Sequence, residues 1–467
     1  MHKVYVVLSL LIIHSVALAQ NVSFSYSTIG EMEEPRLGHT ATIFGAFNPG
    51  NALASVLIVG GSNGSSISQT AEVSGESIPM LQRRVNHTAD FSMGLVFIAG
   101  GYDGDITNHA STEIFSPETM EFTEGPTMQS GRSYHRTVVL NDGRILITGG
   151  FNGTEEIALC ELFDPSSQLL SSAASMNVAR SSHTATLLPD GRVLVTGGFN
   201  PNQGFQMANS EIYDPLTNQW TVVADMNTTR DNHAAALGSI EINGTTVQGV
   251  MVNGGRFFNS NLNLFEGRLE VEFYNLQTNE WINLEPNQQG QSYHQLHYVL
   301  FEGNPLWFVP GSAATSGSGV DQAFSTLEHT STGEWFASST PSGRYQYASV
   351  VFTNALDTWL YVFGGLGSEG DALEMGLYII NTVGVNETAS PSFSVYPQPA
   401  SDAVTLRLTE SGNWFYKLHD AVGRVISTGN FVGSNQQIAL PNDGYFLIEV
   451  YNENTRFTSP IVSRRNN

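Results

Sequence analysis

Arginine and histidine recur three residues apart along the 467-residue chain, at Arg36/His39, Arg84/His87, Arg132/His135, Arg180/His183 and Arg230/His233. Gln291/His294 and Arg344/Tyr347 are weaker copies of the pair. Arginine offers a planar, permanently charged fork of donors suited to carboxylates, phosphates or sugar hydroxyls. A histidine beside it could carry protons near neutral pH. Brought together by the fold, these residues could form a rosette that faces an anion or a sugar. The plainer reading is that they satisfy buried carbonyls between neighbouring strands. Repetition favours the plainer reading, because a catalytic residue need occur only once.

Other reactive groups are sparse. Tyr134, Tyr293, Tyr345 and Tyr347 lie in the same segments as His135 and His294. The one cysteine, Cys160, excludes an intrachain disulfide and a cysteine-based zinc cluster. Asp103-Gly104-Asp105 reads as a turn, since no complete EF-hand spacing accompanies it. No phosphate-binding P-loop, HExxH or G-x-S-x-G element is present. No metal and no cofactor is expected. Lys and Arg number 19 against 43 Asp and Glu, a net charge of −24. That field would repel a phosphate backbone, so nucleic acids and anionic membrane surfaces are poor partners.

The elements that must position these side chains are strands. Charged residues make up only 13% of the chain, while 46 glycines and 41% apolar residues point to a turn-dense, all-β protein. Di-glycine ends an apolar run at VLIVGG (Gly60, Gly61), VFIAGG (Gly100, Gly101), ILITGG (Gly149, Gly150), VLVTGG (Gly197, Gly198), VMVNGG (Gly254, Gly255) and LYVFGG (Gly364, Gly365). LWFVPG, with Pro310-Gly311, is a seventh, degenerate copy. Successive arginines of the first four pairs are 48 residues apart, and later gaps of 50, 61 and 53 fit loop insertions. Met32, Met80, Met128, Met176 and Met226 each stand four residues before an arginine. Segments such as CELFDPSSQLL and SEIYDPLTNQW supply a third strand, a turn and a fourth strand in which Trp220 should pack between units. Asp-Gly at 142–143 and 190–191 marks tight hairpins between the first two strands.

Four short strands per ~50 residues, repeated, is the pattern of a β-propeller. The Gly-Gly, the Tyr-Asp-Pro turn and the tryptophan of the outer strand resemble the kelch repeat over about residues 22–383. The fold expected is all-β: a seven-bladed kelch-type β-propeller over 20–383, then a small Ig-like β-sandwich. FSYSTIGEMEEPR aligns with QWTVVADMNTTR and so supplies the fourth strand that the last unit lacks, closing the ring. In kelch propellers the motif lies at one mouth of the central channel. The resemblance thus implies a binding set of Arg36, Arg84, Arg132, Arg180, Arg230 and Arg344 with Tyr134 and Tyr293. Galactose oxidase, a copper enzyme with kelch-type blades, needs a Cys–Tyr crosslink, and Cys160 occupies a third-strand core slot with no evident partner. An epimerase or lyase centred on His135 or His294 is the other enzymatic alternative.

The two ends read as export signals. Residues 1–19 have a Lys3 start, an apolar run and an Ala17-Leu18-Ala19 cleavage pattern, shorter than the ~20 residues of a spanning helix. No transmembrane anchor is expected. After a polar linker at 384–392, residues 393–467 alternate as six or seven strands. There Tyr396-Pro397-Gln398-Pro399, then Asp420, Gly423-Arg424 and Gly444-Tyr445 resemble the C-terminal sorting domain of the type IX secretion system. The family usually has Asn where this chain has Gln398. That resemblance implies a host of the Bacteroidota, handling by the type IX machinery, and release to the surface or medium. Insertions at about 200–209, 259–267 and 312–322 all follow the Gly-Gly strand or its copy, so they should cluster on one face. The leading expectation is a binding module for a glycan or an extracellular protein.

Overall fold

The computed structural model describes residues 22–44, 56–73, 75–105, 108–261, 263–287, 290–301, 304–309, 312–315, 321–324, 327–330, 335–337, 344–345, 347–353, 358–367, 370–371, 374–382, 393–396, 403–420, 425–440, 444–452 and 456–463. The expected export signal at 1–19 and the linker at 384–392 lie outside them. Among the described residues nearly every element is a strand, the exception being a 3-10 turn at Pro201–Gln203. None of them forms a helix long and apolar enough to cross a membrane. The chain divides into two compact units, one of residues 32–44 and 57–373, the other comprising 1–31, 45–56 and 374–467.

In the first unit, six antiparallel sheets of four strands each come from one sequence repeat apiece. The fourth is representative: Thr184–Leu187, Val193–Thr196, Ser210–Asp214 and Gln219–Val223 pair in that order. Its second strand is buried at every position, as is Ile145–Thr148 in the sheet before it. That is why these strands are unbroken apolar runs: both faces are covered. Outermost strands such as Glu121–Glu124 are largely exposed. The innermost strands Thr40–Ile43, Thr88–Ser92, Arg136–Val139, Thr184–Leu187, Ala234–Ile242 and His297–Phe301 stand side by side in that order. A seventh, Ala348–Thr353, pairs with Thr358–Phe363 and packs against Thr40–Ile43. Ser349 donates both its N–H (2.8 Å) and its hydroxyl to Gln295 Oε1 and lies 2.7 Å from His297 Nε2, which joins it to the sixth. The inner strands thus return on themselves around a central channel.

Apolar cores form between adjacent sheets rather than within them. Val138, Leu146 and Cys160 of the third repeat pack with Val193, Val195 and Tyr213 of the fourth. Trp220 joins this core as expected and donates its indole N–H to the Ala174 carbonyl (2.8 Å), yet it is half-buried. Its outer-strand position leaves one edge in solvent, so the full cost of a deeply buried tryptophan does not apply. The Asp-Gly turns are as expected: Gly143 and Gly191 take φ of +85° and +87°, and the Gly143 N–H donates to the Leu140 carbonyl.

In the second unit, Val22–Glu31 pairs antiparallel with Glu374–Thr382, Val22 opposite Thr382. The strand of the first segment and that of the last repeat thus pair with each other, as their sequences suggest. Farther along, Phe393–Tyr396, Ala403–Asp420, Val425–Ala439, Gly444–Tyr451 and Arg456–Ser463 form one five-stranded sheet. Val404, Leu406, Trp414, Leu418, Phe446 and Ile448 share its core. Among the described residues there are five strands where six or seven are expected. The polar stretch 410–413 reads as a break, but the pairing of 403–420 with 425–439 continues across it with a shift between Arg407 and Gly412. An irregular register within one strand takes the place of a turn.

Candidate functional site

The repeated arginines are interior residues. Arg36, Arg84, Arg132, Arg180 and Arg230 are each 0% exposed. Arg84 shows the common pattern: its Nη1 donates to the carbonyls of Gly100 (2.6 Å) and Ser111 (3.0 Å), and its Nε to Glu113 (2.9 Å). Arg132, Arg180 and Arg230 pair likewise with Glu161, Glu211 and Glu272 at 2.6–2.8 Å. Those glutamates belong to the third strands, and they also accept backbone N–H bonds, as Glu113 does from Leu81 and Gln82. The expectation of a ligand-facing arginine rosette is therefore corrected for these five: their guanidinium groups knit the sheets from inside. The partner glutamates escaped the sequence reading, although they recur in phase with the arginines. Arg344 has its backbone in Arg344–Tyr345, paired with Leu366–Gly367, and its side chain lies outside the described residues.

The histidines sit at the seams between repeats. Nε2 of His87 lies 3.1 Å from Thr40 Oγ1, that of His135 3.0 Å from Thr88, and that of His233 3.0 Å from Thr184, each in the preceding repeat. His294 meets Asn253 in the same way at 3.0 Å. Burial holds His39, His87 and His294 down to about 3, and His135, His183 and His233 well below the usual value, with neighbouring arginine charge adding to it at His135 and His233. His135 and His294 are thus enclosed at the seams, where burial favours their neutral form. The di-glycines explain how the seams close. A Cβ on Gly100 would stand 2.4 Å from the Arg132 carbonyl oxygen of the next repeat. The N–H of Gly101 donates to that same carbonyl (2.8 Å), and Gly365 does so to Arg36 (3.1 Å), returning to the start of the ring.

The third residue of each of the first six motifs is left-handed. Gly38, Asn86, Tyr134, Ser182, Asn232 and Tyr293 all have φ between 48° and 61°. Each from Asn86 onward donates its N–H to the carbonyl of the one before, at 2.9–3.2 Å. Tyr134 is 40% exposed and Tyr293 half-buried. Burial raises the Tyr134 phenol, and the charge of Arg256 partly offsets this.

Arg256 was not singled out by the sequence. It follows a Gly-Gly, is bridged through its backbone to Asp231, and its guanidinium grips the Asp231 carboxylate with three contacts of 2.9–3.1 Å. Its flat face lies 4.3 Å from the Phe265 ring centre and 5.4 Å from that of Tyr293. The insertions around it are hairpins on this same face: Phe199–Asn200 with Phe205–Gln206, Arg256–Asn259 with Leu264–Gly267, and Ser312–Thr315 with Asp321–Phe324. They pack side by side in that order. Phe205, 45% exposed, lies 5.9 Å from Phe258 and 6.0 Å from Phe199, and Phe258 lies 5.3 Å from Phe265.

Cys160 is buried, and burial pushes its thiol up to about 12, so it is no nucleophile. No group of three or more His, Cys, Asp or Glu among the described residues is set to hold a metal ion. In the C-terminal sheet, Asp420 stands opposite Phe446, Tyr396 opposite Thr405, Gly444 opposite Ser463 and Tyr445 opposite Val462. Pro397, Pro399, Gly423 and Arg424 lie outside the described residues.

Two family models match the chain: the Kelch motif at residues 83–129 and 180–227, and the secretion system C-terminal sorting domain at 394–464. A solved structure titled "Structure of YjhT" aligns with 72% of this chain and 99% of that one at 15% identity, with a TM-score of 0.46. No curated protein matches. The chain carries kelch motifs in an all-β propeller architecture and ends in a type IX secretion sorting domain.

Proposed function

We propose that this is an exported propeller that binds a glycan or an extracellular protein through the hairpin face around the channel mouth. The sorting domain implies secretion or display at the cell surface. In this reading residues 1–19 are the export signal, 20–383 the propeller, 384–392 a linker and 393–467 the segment handled by the type IX machinery.

The observation that carries the reading is the aromatic platform of Phe199, Phe205, Phe258 and Phe265, with the Arg256 cation fixed against it. Phe205 is exposed and the other three rings are half-buried, and rings held on a rigid scaffold give contact area at low entropic cost. An arginine already clamped by Asp231 adds a preorganised donor edge. The test is a glycan array together with a polysaccharide turnover screen on the full-length protein. Saturable binding without turnover, weakened at least tenfold by Phe205→Ala, is expected. Turnover abolished by His135→Ala in a folded variant would overturn the reading.

A further inference from the structure

The first unit has eleven arginines whose side chains are described, and ten of them hold a carboxylate within 4.0 Å. The exception is Arg136. It stands in the innermost strand Arg136–Val139, between the inner strands Thr88–Ser92 and Thr184–Leu187. One bond is made by its guanidinium, from Nη1 to the His135 carbonyl at 3.0 Å. No carboxylate offsets the desolvation that lowers its pKa. Its charge depresses His135, His183 and His233, which belong to three successive repeats. By its strand, Arg136 stands on the inner edge of the ring, between the second and fourth repeats.

The repeat shows what was given up to place it there. At the matching position the first, second and fourth repeats have Thr40, Thr88 and Thr184, each bonded to the histidine of the following repeat. Arg136 replaces that threonine once, and His183 turns instead to Thr148 at 2.9 Å. The Arg136 guanidinium is half-buried and most of its donors are uncommitted within the protein, so an anion that replaces water there gains charge-assisted bonds. In a chain of net charge −24, carboxylates to pair with it are abundant, and none is placed here. Unlike the repeated arginines, this residue occurs once, as a ligand contact should.

We propose that the central channel binds a small oxyanion, a carboxylate or sulfate group, on the guanidinium fork of Arg136. A planar fork matches two oxygens of such a group at once. The site is separate from the hairpin face, so either reading can fail alone.

The test follows thermal unfolding of the full-length protein in sodium sulfate, sodium glucuronate or glucose, with sodium chloride holding ionic strength equal. A saturable rise in Tm with each oxyanion and none with glucose is expected for the wild type. Arg136→Thr restores the residue of the sister repeats and should abolish that rise, and Phe205→Ala should leave it intact. General salt stabilisation is unsaturating and common to all variants, so the difference between proteins is the readout. Arg136→Lys, which keeps the charge but loses the fork, should weaken apparent affinity at least threefold. A wild type indifferent to both anions, or Arg136 variants that keep the full rise, would overturn the site.

Discussion

A buried guanidinium is tolerable only with its carboxylate in place, and the four Arg–Glu pairs from Arg84 to Glu272 meet that condition. Removing one partner leaves an uncompensated charge, which costs ~3–5 kcal/mol, whereas replacing both with apolar residues of similar volume is often neutral. Glu211→Ala should therefore destabilise by about that amount, and the double variant Arg180→Met/Glu211→Met by less than ~1.5 kcal/mol. Denaturant titration of both proteins measures the difference; equal losses would show that packing rather than charge dominates. The arginines were legible in the sequence because their spacing is regular. Their glutamates recur in each third strand, but the pairing was hidden because separations of 29, 29, 31 and 42 residues from the arginines vary with the loops between strands. Arg256 and Arg136 left no periodic trace at all, since each departs from the repeat.

At the level of elements, strands and turns were readable from apolar runs, di-glycines and Asp-Gly pairs, and the insertions were readable as interruptions of the period. The left-handed ring was not. Its positions are filled by Gly, Asn, Tyr, Ser, Asn and Tyr, and only the glycine and asparagines advertise positive φ. Nor was the long strand 403–420, because a polar stretch that only shifts the register has the composition of a turn. The di-glycine argument yields a paired prediction. Gly100→Ala adds to the left-handed strain a Cβ 2.4 Å from backbone, and should cost more than ~3 kcal/mol or prevent folding. Gly244→Ala has φ +75° but nothing within 4 Å, so it should cost only ~1–2 kcal/mol. Equal melting temperatures for the two variants would show that the seam opens to admit a side chain.

Across the whole ring, the histidines make folding a pH-dependent event. His39, His87 and His294 are held at about 3 by burial, whereas an unfolded chain titrates them near ~6.5. Between those values the unfolded state binds more protons, so stability rises with pH. The contribution is complete above ~6.5 and is lost progressively as pH falls toward about 3. Buried carboxyls act in the opposite sense: desolvation raises Asp90 and Glu161, which favours the folded state on the acid side. Wild-type stability against pH therefore mixes both, and a single substitution separates them. Glutamine at position 87 keeps an amide within reach of Thr40 and removes the titration. His87→Gln should leave stability at pH 7.5 within ~1 kcal/mol of wild type, because it remains a satisfied polar group. Between pH 6 and pH 4 its stability should fall less steeply than that of wild type, by ~1.4 kcal/mol per pH unit for the one proton no longer taken up. Parallel stability curves for the two proteins across that window would mean that His87 is protonated in the folded ring, and that the seams admit charge.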